Sequence, residues 1–157
     1  LGRLHERSGD YQEALKWHNK SRELKEGLND RLGLATTYHH LGNCYFLMGT
    51  YDDAHEFYDR AVELEDEFKD FFGKASTLKQ LGEVAMAQRE WNEALRYFLN
   101  AFELWNVFGS PLKTSVVGHL GQLRSLVDEA ELKLAETEAV EAAKQALIEG
   151  DRGMATK

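Results

Sequence analysis

The residue types best suited to chemistry lie close together near residue 40, where two histidines precede the one cysteine of the chain. His40 and Cys44 are four residues apart; on a helix this places both on one face, a spacing that can hold a metal ion. No third or fourth ligand is evident in the sequence, and Cys44 falls among small residues at helix-packing positions. Because free cysteines are mostly buried, we predict a buried thiol and no metal.

Other catalytic signatures are incomplete. The segment beginning His55-Glu56 starts like the zinc motif His-Glu-x-x-His, but Asp59 stands where the second histidine is needed. The sequence contains neither a phosphate-binding glycine loop nor a Gly-x-Ser-x-Gly turn. No set of nucleophile, base and orienting group can be assembled around His39, His40 and Cys44. We therefore expect no enzyme activity and no cofactor.

Composition and charge narrow the class of protein. Of 157 residues, 43% are hydrophobic and 29% are charged, which is enough to form a core and excludes a disordered chain. The net charge of −8 argues against nucleic acid as the main partner, since phosphate binding needs clustered Lys and Arg. No apolar run reaches about 18 residues, so no membrane span is predicted. The single cysteine rules out an intramolecular disulfide and fits a reducing, cytoplasmic compartment.

The chain contains an internal sequence repeat, which places the histidines and the cysteine near residue 40 on a helix. Leu-Gly pairs begin at residues 1, 41, 81 and 120, at intervals of 40, 40 and 39 residues. A fixed period of this size indicates a stacked array of small helical units. In the first three units a second helix follows, with small, aromatic and aliphatic residues three and four apart on one face. The expected buried positions of these second helices are Tyr11, Ala14, Leu15, His18, Ser21, Leu24; Tyr51, Ala54, Phe57, Tyr58, Ala61, Leu64; and Trp91, Ala94, Leu95, Phe98, Ala101, Phe102, Leu104.

Glycine and short polar residues mark the predicted helix ends. Gly9-Asp10 and Gly49-Thr50 should each end one helix and begin the next. In the third unit Arg89 replaces the turn glycine, so we expect a less well specified turn there. The helices that open the second, third and fourth units should be capped by Asp30, Asp70 and Ser110.

The last part of the chain allows two interpretations. Residues 128–149 could form one long capping helix or part of a degenerate fourth helix pair. Gly153-Met154-Ala155-Thr156 copies Gly33-Leu34-Ala35-Thr36, which favours a full fourth pair followed by the start of another unit. The expected stripe of small residues is Ala135, Ala139 and Ala142. The whole chain would then be one array with units at about 1–29, 30–69, 70–109 and 110–150, with 151–157 beginning a further unit.

The pattern Leu-Gly-x-x-Tyr, then Gly-x-Tyr-x-x-Ala, best seen from Leu41 to Ala61, resembles the tetratricopeptide repeat. The period of about 40 residues is similar to the longer-helix subclass found in Pins-type adaptors and in arrays attached to bacterial regulators. The resemblance implies an all-α, right-handed superhelical solenoid of antiparallel helix pairs with about four repeats. It also implies that the first helices of the units form a concave groove that binds a peptide or helical segment of a partner protein.

The groove implied by the resemblance is mixed polar with a few apolar positions. We expect the amide of Asn43 to bond the backbone of an extended ligand, and His39 and Lys79 to pair with a ligand carboxylate. Phe46 and Met86 would supply apolar anchors. The predicted partner-binding residues are Arg3, Arg7, His39, His40, Asn43, Phe46, Lys79, Gln80, Glu83, Met86, His119 and Gln122.

The function predicted from these features is a protein–protein interaction module or scaffold. The alternative is a regulatory or sensor array within a larger signalling enzyme or transcription regulator. Because both ends of the chain fall inside repeat units and arrays need polar caps, we also expect end-to-end self-association. The identity of the partner is not encoded in the repeat pattern.

Overall fold

The computed structural model describes the backbone of residues 1–155 and the side chains of residues 1–6 and 8–150. This part of the chain is α-helical throughout, with one 3₁₀ segment and no β-strand, which confirms the all-α prediction. None of its helices combines the length and apolarity needed to cross a bilayer. The helices are α1 (Gly2–Ser8), α2 (Tyr11–Gly27), α3 (Arg31–Leu47), α4 (Tyr51–Glu67), α5 (Phe71–Gln88), α6 (Trp91–Val107), α7 (Val117–Leu123) and α8 (Glu129–Ala155), with the 3₁₀ segment at Pro111–Val116.

The chain divides into two compact units, and the first comprises Leu1–Phe68. In this unit each helix packs on the next one along the chain, from α1 through α4. The helix starts follow the predicted capping chemistry: Asp10 accepts a hydrogen bond from the Glu13 backbone at 3.2 Å, and Asp30 accepts one from Gly33 at 2.9 Å. Thr50 precedes α4 as predicted but forms no side-chain cap; its hydroxyl donates to the Tyr45 carbonyl instead.

The glycines of the second and third Leu-Gly pairs allow an aromatic ring to approach the first helix closely. A Cβ added to Gly42 would lie 2.6 Å from the ring of Tyr58, and one added to Gly82 would lie 2.8 Å from Phe98. Both rings are fully buried. Only glycine leaves room for this contact, which explains why the pair recurs at a fixed distance from an aromatic residue. Gly121 has no neighbour within 4 Å, so the fourth pair does not take part in the same packing.

The second unit begins at Lys69 and contains α5 to α8. Helices α5 and α6 form a pair, and α8 also packs against α6. In place of one regular first helix, the fourth repeat has the 3₁₀ segment followed by the short α7. Asp70 and Ser110 accept capping hydrogen bonds from Gly73 and Leu112, at 2.9 and 3.3 Å.

Helix α8 continues without interruption to Ala155 and corrects one prediction about the last part of the chain. Its buried stripe consists of small residues, as predicted at Ala135 and Ala139, but Ala142 is exposed and Ala143 is fully buried. The error came from register, because a helix that packs on α6 advances by four residues here and not by three.

Two further predictions concerned the turns and the first buried stripe. Arg89 adopts the same left-handed conformation (φ 64°) as the turn glycines Gly9 and Gly49 (φ 80° and 79°), so the turn forms without glycine. The prediction that Leu24 would be buried was wrong, since 61% of its surface is exposed. It lies in the last turn of α2, where Lys25 and not Leu24 reaches α3, through a hydrogen bond of 2.7 Å to the Gly33 carbonyl.

Candidate functional site

The half-buried face of α3 carries three of the predicted binding residues, His39, Asn43 and Phe46, spaced four and three apart. The hydroxyl of Tyr58 donates a hydrogen bond of 2.7 Å to Asn43 Oδ1, and the ring of His39 contacts the ring of Tyr58 edge-on at 5.7 Å. Tyr58 is fully buried in the α3–α4 pair. The core of the pair therefore holds the Asn43 amide and the His39 ring in place, which gives Asn43 a packing role as well as a half-exposed position.

The corresponding face of α5 lies 40 residues further along and is also half-buried. Lys79, Glu83 and Met86 occupy, in the third repeat, the positions that His39, Asn43 and Phe46 occupy in the second repeat. Lys79 Nζ lies 2.6 Å from Glu83 Oε1 and donates a second hydrogen bond to Gln80 Oε1 at 3.3 Å. The lysine is thus paired within its own helix, and a ligand carboxylate would have to compete with Glu83.

Four other predicted binding residues lie on the short helices α1 and α7. Arg3 on α1 and Gln122 on α7 are exposed. The ring of His119 stacks on Phe98 at 4.6 Å, and its buried Nδ1 has no hydrogen-bond partner in the described part of the chain. The side chain of Arg7 lies outside the described residues.

His40 faces inward, although it was predicted as a groove residue. Its Nδ1 lies 3.4 Å from Glu6 Oε1 on α1, and its ring stacks on that of His18 on α2 at 5.1 Å. Only 18% of its side chain is exposed. Burial lowers the pKa of His40 to about 4, more strongly than the Glu6 carboxylate raises it, so the imidazole is neutral at pH 7.

The same carboxylate oxygen is approached by two further groups. His18 Nε2 lies 2.5 Å from Glu6 Oε1, and Cys44 Sγ lies 3.9 Å from it. Cys44 is fully buried, as predicted, and desolvation raises the pKa of its thiol to about 12. Desolvation also lowers the pKa of His18 despite the neighbouring carboxylate. Three helices thus bring one carboxylate, two neutral imidazoles and one thiol together.

Three of these four residues form a group that could hold a metal. The ligand atoms of Glu6, His18 and Cys44 all lie within 4.8 Å of one another, and they are the only such group among the described residues. No third or fourth ligand for His40 and Cys44 was evident in the sequence, because Glu6 and His18 lie on other helices. The sequence did contain a signal: Glu6 stands where the next two units have Phe46 and Met86, 40 and 80 residues later.

Comparison with known families agrees with this architecture. Two family models, each described as a tetratricopeptide repeat, match residues 1–66 and residues 77–104. No curated protein matches the chain. The matched segments contain the Leu-Gly frames at residues 1, 41 and 81 and the second helices that pack on them. The chain belongs to the tetratricopeptide repeat family.

Proposed function

We propose that this chain is an interaction module or scaffold whose α3 and α5 faces bind a peptide or a helical segment of a partner protein. Tetratricopeptide repeats generally mediate protein–protein interactions. Binding of this kind needs no catalytic group, and we propose no enzyme activity.

The observation that carries this proposal is the matching of two helix faces. Positions 39, 43 and 46 on α3, and positions 79, 83 and 86 on α5, are all neither buried nor fully exposed. Each face combines polar groups with one large apolar side chain, Phe46 or Met86. Binding surfaces of this kind use the apolar side chain as an anchor and the polar groups for orientation.

The ion pair between Lys79 and Glu83 on α5 indicates which kind of ligand would bind there. Because Lys79 is already paired with Glu83, a ligand carboxylate gains less there than at an unpaired lysine. A hydrogen-bond donor of the ligand near Glu83 and an acceptor near Lys79 would together replace the ion pair between these two residues. We therefore propose a ligand segment with alternating polar groups and at least one apolar anchor, and not one recognised mainly by its carboxylate.

The experiment selects binders from a library of random peptides against the purified chain and measures the dissociation constant of one selected peptide. The double variant Phe46→Ala with Met86→Ala should weaken binding about tenfold or more, since each lost anchor costs about 1 kcal/mol or more. Both changes leave the hydrogen bond between Tyr58 and Asn43 intact. Glu63→Ala, on an exposed position of α4, is the matched control and should bind like the parent chain.

A second pair of substitutions tests the polar groups. Asn43→Ala with Lys79→Ala should also weaken binding, provided that circular dichroism shows the fold retained. If both double variants remain folded and bind the peptide as tightly as Glu63→Ala does, the α3 and α5 faces are not the binding surface.

Two finer expectations belong to the same proposal. Leu4, Leu24 and Leu28 are 61–78% exposed in the first unit, and an apolar surface of this kind favours self-association. Sedimentation equilibrium should show association at high concentration that Leu28→Glu reduces; a strictly monomeric parent chain would contradict this. A cytoplasmic location is consistent with a lone, buried thiol at Cys44.

A further inference from the structure

Three helices of the first unit converge on one buried oxygen. Glu6 Oε1, on α1, has His18 Nε2 at 2.5 Å, His40 Nδ1 at 3.4 Å and Cys44 Sγ at 3.9 Å. The exposed fractions of the Glu6, His18 and His40 side chains are 14%, 9% and 18%, and Cys44 is fully buried. Glutamate, histidine and cysteine are all common metal ligands.

Hydrogen bonding within the protein satisfies only part of this cluster. The Cys44 thiol donates to Glu6 Oε1 at 3.9 Å, whereas His18 Nε2 and His40 Nδ1 are buried and have no hydrogen-bond partner in the described part of the chain. The contact of 2.5 Å between His18 Nε2 and Glu6 Oε1 is an ion pair only when the imidazole is protonated. Buried nitrogens without partners are rare in proteins, and an ion that has not been placed is one established cause.

We propose that Glu6, His18, His40 and Cys44 bind a single Zn²⁺ ion. Zinc accepts carboxylate oxygen, imidazole nitrogen and thiolate sulfur in one tetrahedral site, whereas magnesium and calcium prefer oxygen ligands alone. Bonds of about 2.0–2.3 Å place the ligand atoms of a tetrahedral zinc site about 3.3–3.8 Å apart. The distances of His40 and Cys44 from Glu6 already approach this range, and insertion of the ion would separate the Glu6 and His18 atoms.

Zinc binding exchanges the water ligands of the ion for protein ligands and releases one proton. Zinc loses bound water as four protein bonds form, and Cys44 loses its thiol proton to solvent as the zinc–sulfur bond forms. Each imidazole binds the ion in its neutral form, through a nitrogen lone pair and without releasing a proton. With four protein ligands the site is closed, as structural zinc sites are, and its effect is to join α1 and α2 to α3.

The second repeat provides an internal comparison. Its positions equivalent to Glu6 and His18 are Phe46 and Tyr58. The Tyr58 hydroxyl donates a hydrogen bond to Asn43, and Phe46 stands where the first repeat has the Glu6 carboxylate. The two polar replacements in the first unit are therefore complementary to each other, and they occur where two residues of α3 complete a set of four ligands.

The experiment titrates the purified, chelator-treated chain with Zn²⁺ in competition with a chromophoric chelator. We expect one zinc per chain, and Co²⁺ in its place should give a thiolate-to-cobalt charge-transfer band. Glu6→Gln and Cys44→Ala should abolish or weaken binding by about 100-fold or more, and Cys44→Ala should remove the band. His40→Ala, at the edge of the cluster, should weaken binding about 10–100-fold.

The matched control is His55→Ala. His55 is another histidine beside a carboxylate, with its Nδ1 3.0 Å from Asp59 Oδ2, and its removal should leave zinc affinity unchanged. If the parent chain binds no zinc, or if Cys44→Ala and His40→Ala remain folded and bind as the parent does, the proposal is wrong. Peptide binding is measured separately on α3 and α5 variants, so its outcome does not decide the zinc site.

Discussion

The substitution Gly42→Ala tests the packing that explains the repeat. A Cβ at this position would lie 2.6 Å from the Tyr58 ring, about 0.8 Å closer than the 3.4 Å at which ordinary contact begins. The ring cannot move freely, because Tyr58 is fully buried and its hydroxyl is bonded to Asn43. Overpacking of a core costs about 1–3 kcal/mol, and losing the hydrogen bond would add about 1 kcal/mol.

A gain in helix propensity opposes this cost. Alanine in a helix interior is favoured over glycine by about 1 kcal/mol, so the net loss of stability for Gly42→Ala should be about 1–3 kcal/mol. Gly121→Ala is the matched control, since it lies in α7, follows the same leucine of the repeat frame and has no neighbour within 4 Å. That substitution should leave stability unchanged or raise it by as much as about 1 kcal/mol.

The assay is urea unfolding followed by circular dichroism, with the slope of the transition compared between variants because repeat arrays can lose two-state behaviour. Gly42→Ala should lower the unfolding midpoint and Gly121→Ala should not. Equal midpoints for Gly42→Ala and the parent chain would show that the first helix and the aromatic ring are not in tight contact, and the explanation of the Leu-Gly frame would fail.

Three further substitutions test local features. Arg89→Gly should raise the free energy of unfolding by about 1 kcal/mol, because it removes the cost of a left-handed non-glycine residue, while Arg89→Ala should not; equal effects would contradict this. Asp70→Ala should lower the free energy of unfolding by about 1 kcal/mol, because the helix loses the hydrogen bond from the Gly73 backbone amide to the Asp70 side chain. An unchanged unfolding midpoint would argue against the cap. Ala143→Leu should destabilise the fully buried stripe of α8 by about 1–3 kcal/mol, whereas Ala142→Leu should be tolerated; the reverse order would restore the register expected from sequence.

Features set by near neighbours in the chain were predictable. The caps at Asp30, Asp70 and Ser110 depend on a backbone amide two or three residues away, so the sequence alone identifies them. The Lys79–Glu83 pair has the i, i+4 spacing that favours ion pairing on a helix and was equally open to prediction. It was missed because the groove interpretation assigned Lys79 to a ligand.

Features set by packing between distant residues were not predictable in the same way. The exposure of Leu24 and the exchange of Ala142 for Ala143 depend on where a neighbouring helix ends and at what angle it crosses. The contact of Glu6 with His18 and Cys44 joins residues 12 and 38 positions apart on three helices. Only the departure of two residues of the first unit from the repeat pattern pointed to it.

The two proposals use different residues of α3. The α3 residues His39, Asn43 and Phe46 are half-buried. They lie outside the inner cluster, which is the group formed by Glu6, His18, His40 and Cys44. Zinc at the inner cluster would fix α3 relative to α1 and α2, and a fixed α3 loses less freedom when a ligand binds. The proposals are thus compatible, and each has its own measurement.

The central claim, that the α3 and α5 faces bind a partner segment, is tested most directly by nuclear magnetic resonance. Backbone amide shifts of the isotope-labelled chain are recorded while a selected peptide is added. The account predicts that the largest shifts occur around positions 39–46 of α3 and 79–86 of α5, with small shifts along the exposed side of α4. Shifts concentrated on α4 or α8, with α3 and α5 unchanged at saturation, would contradict it.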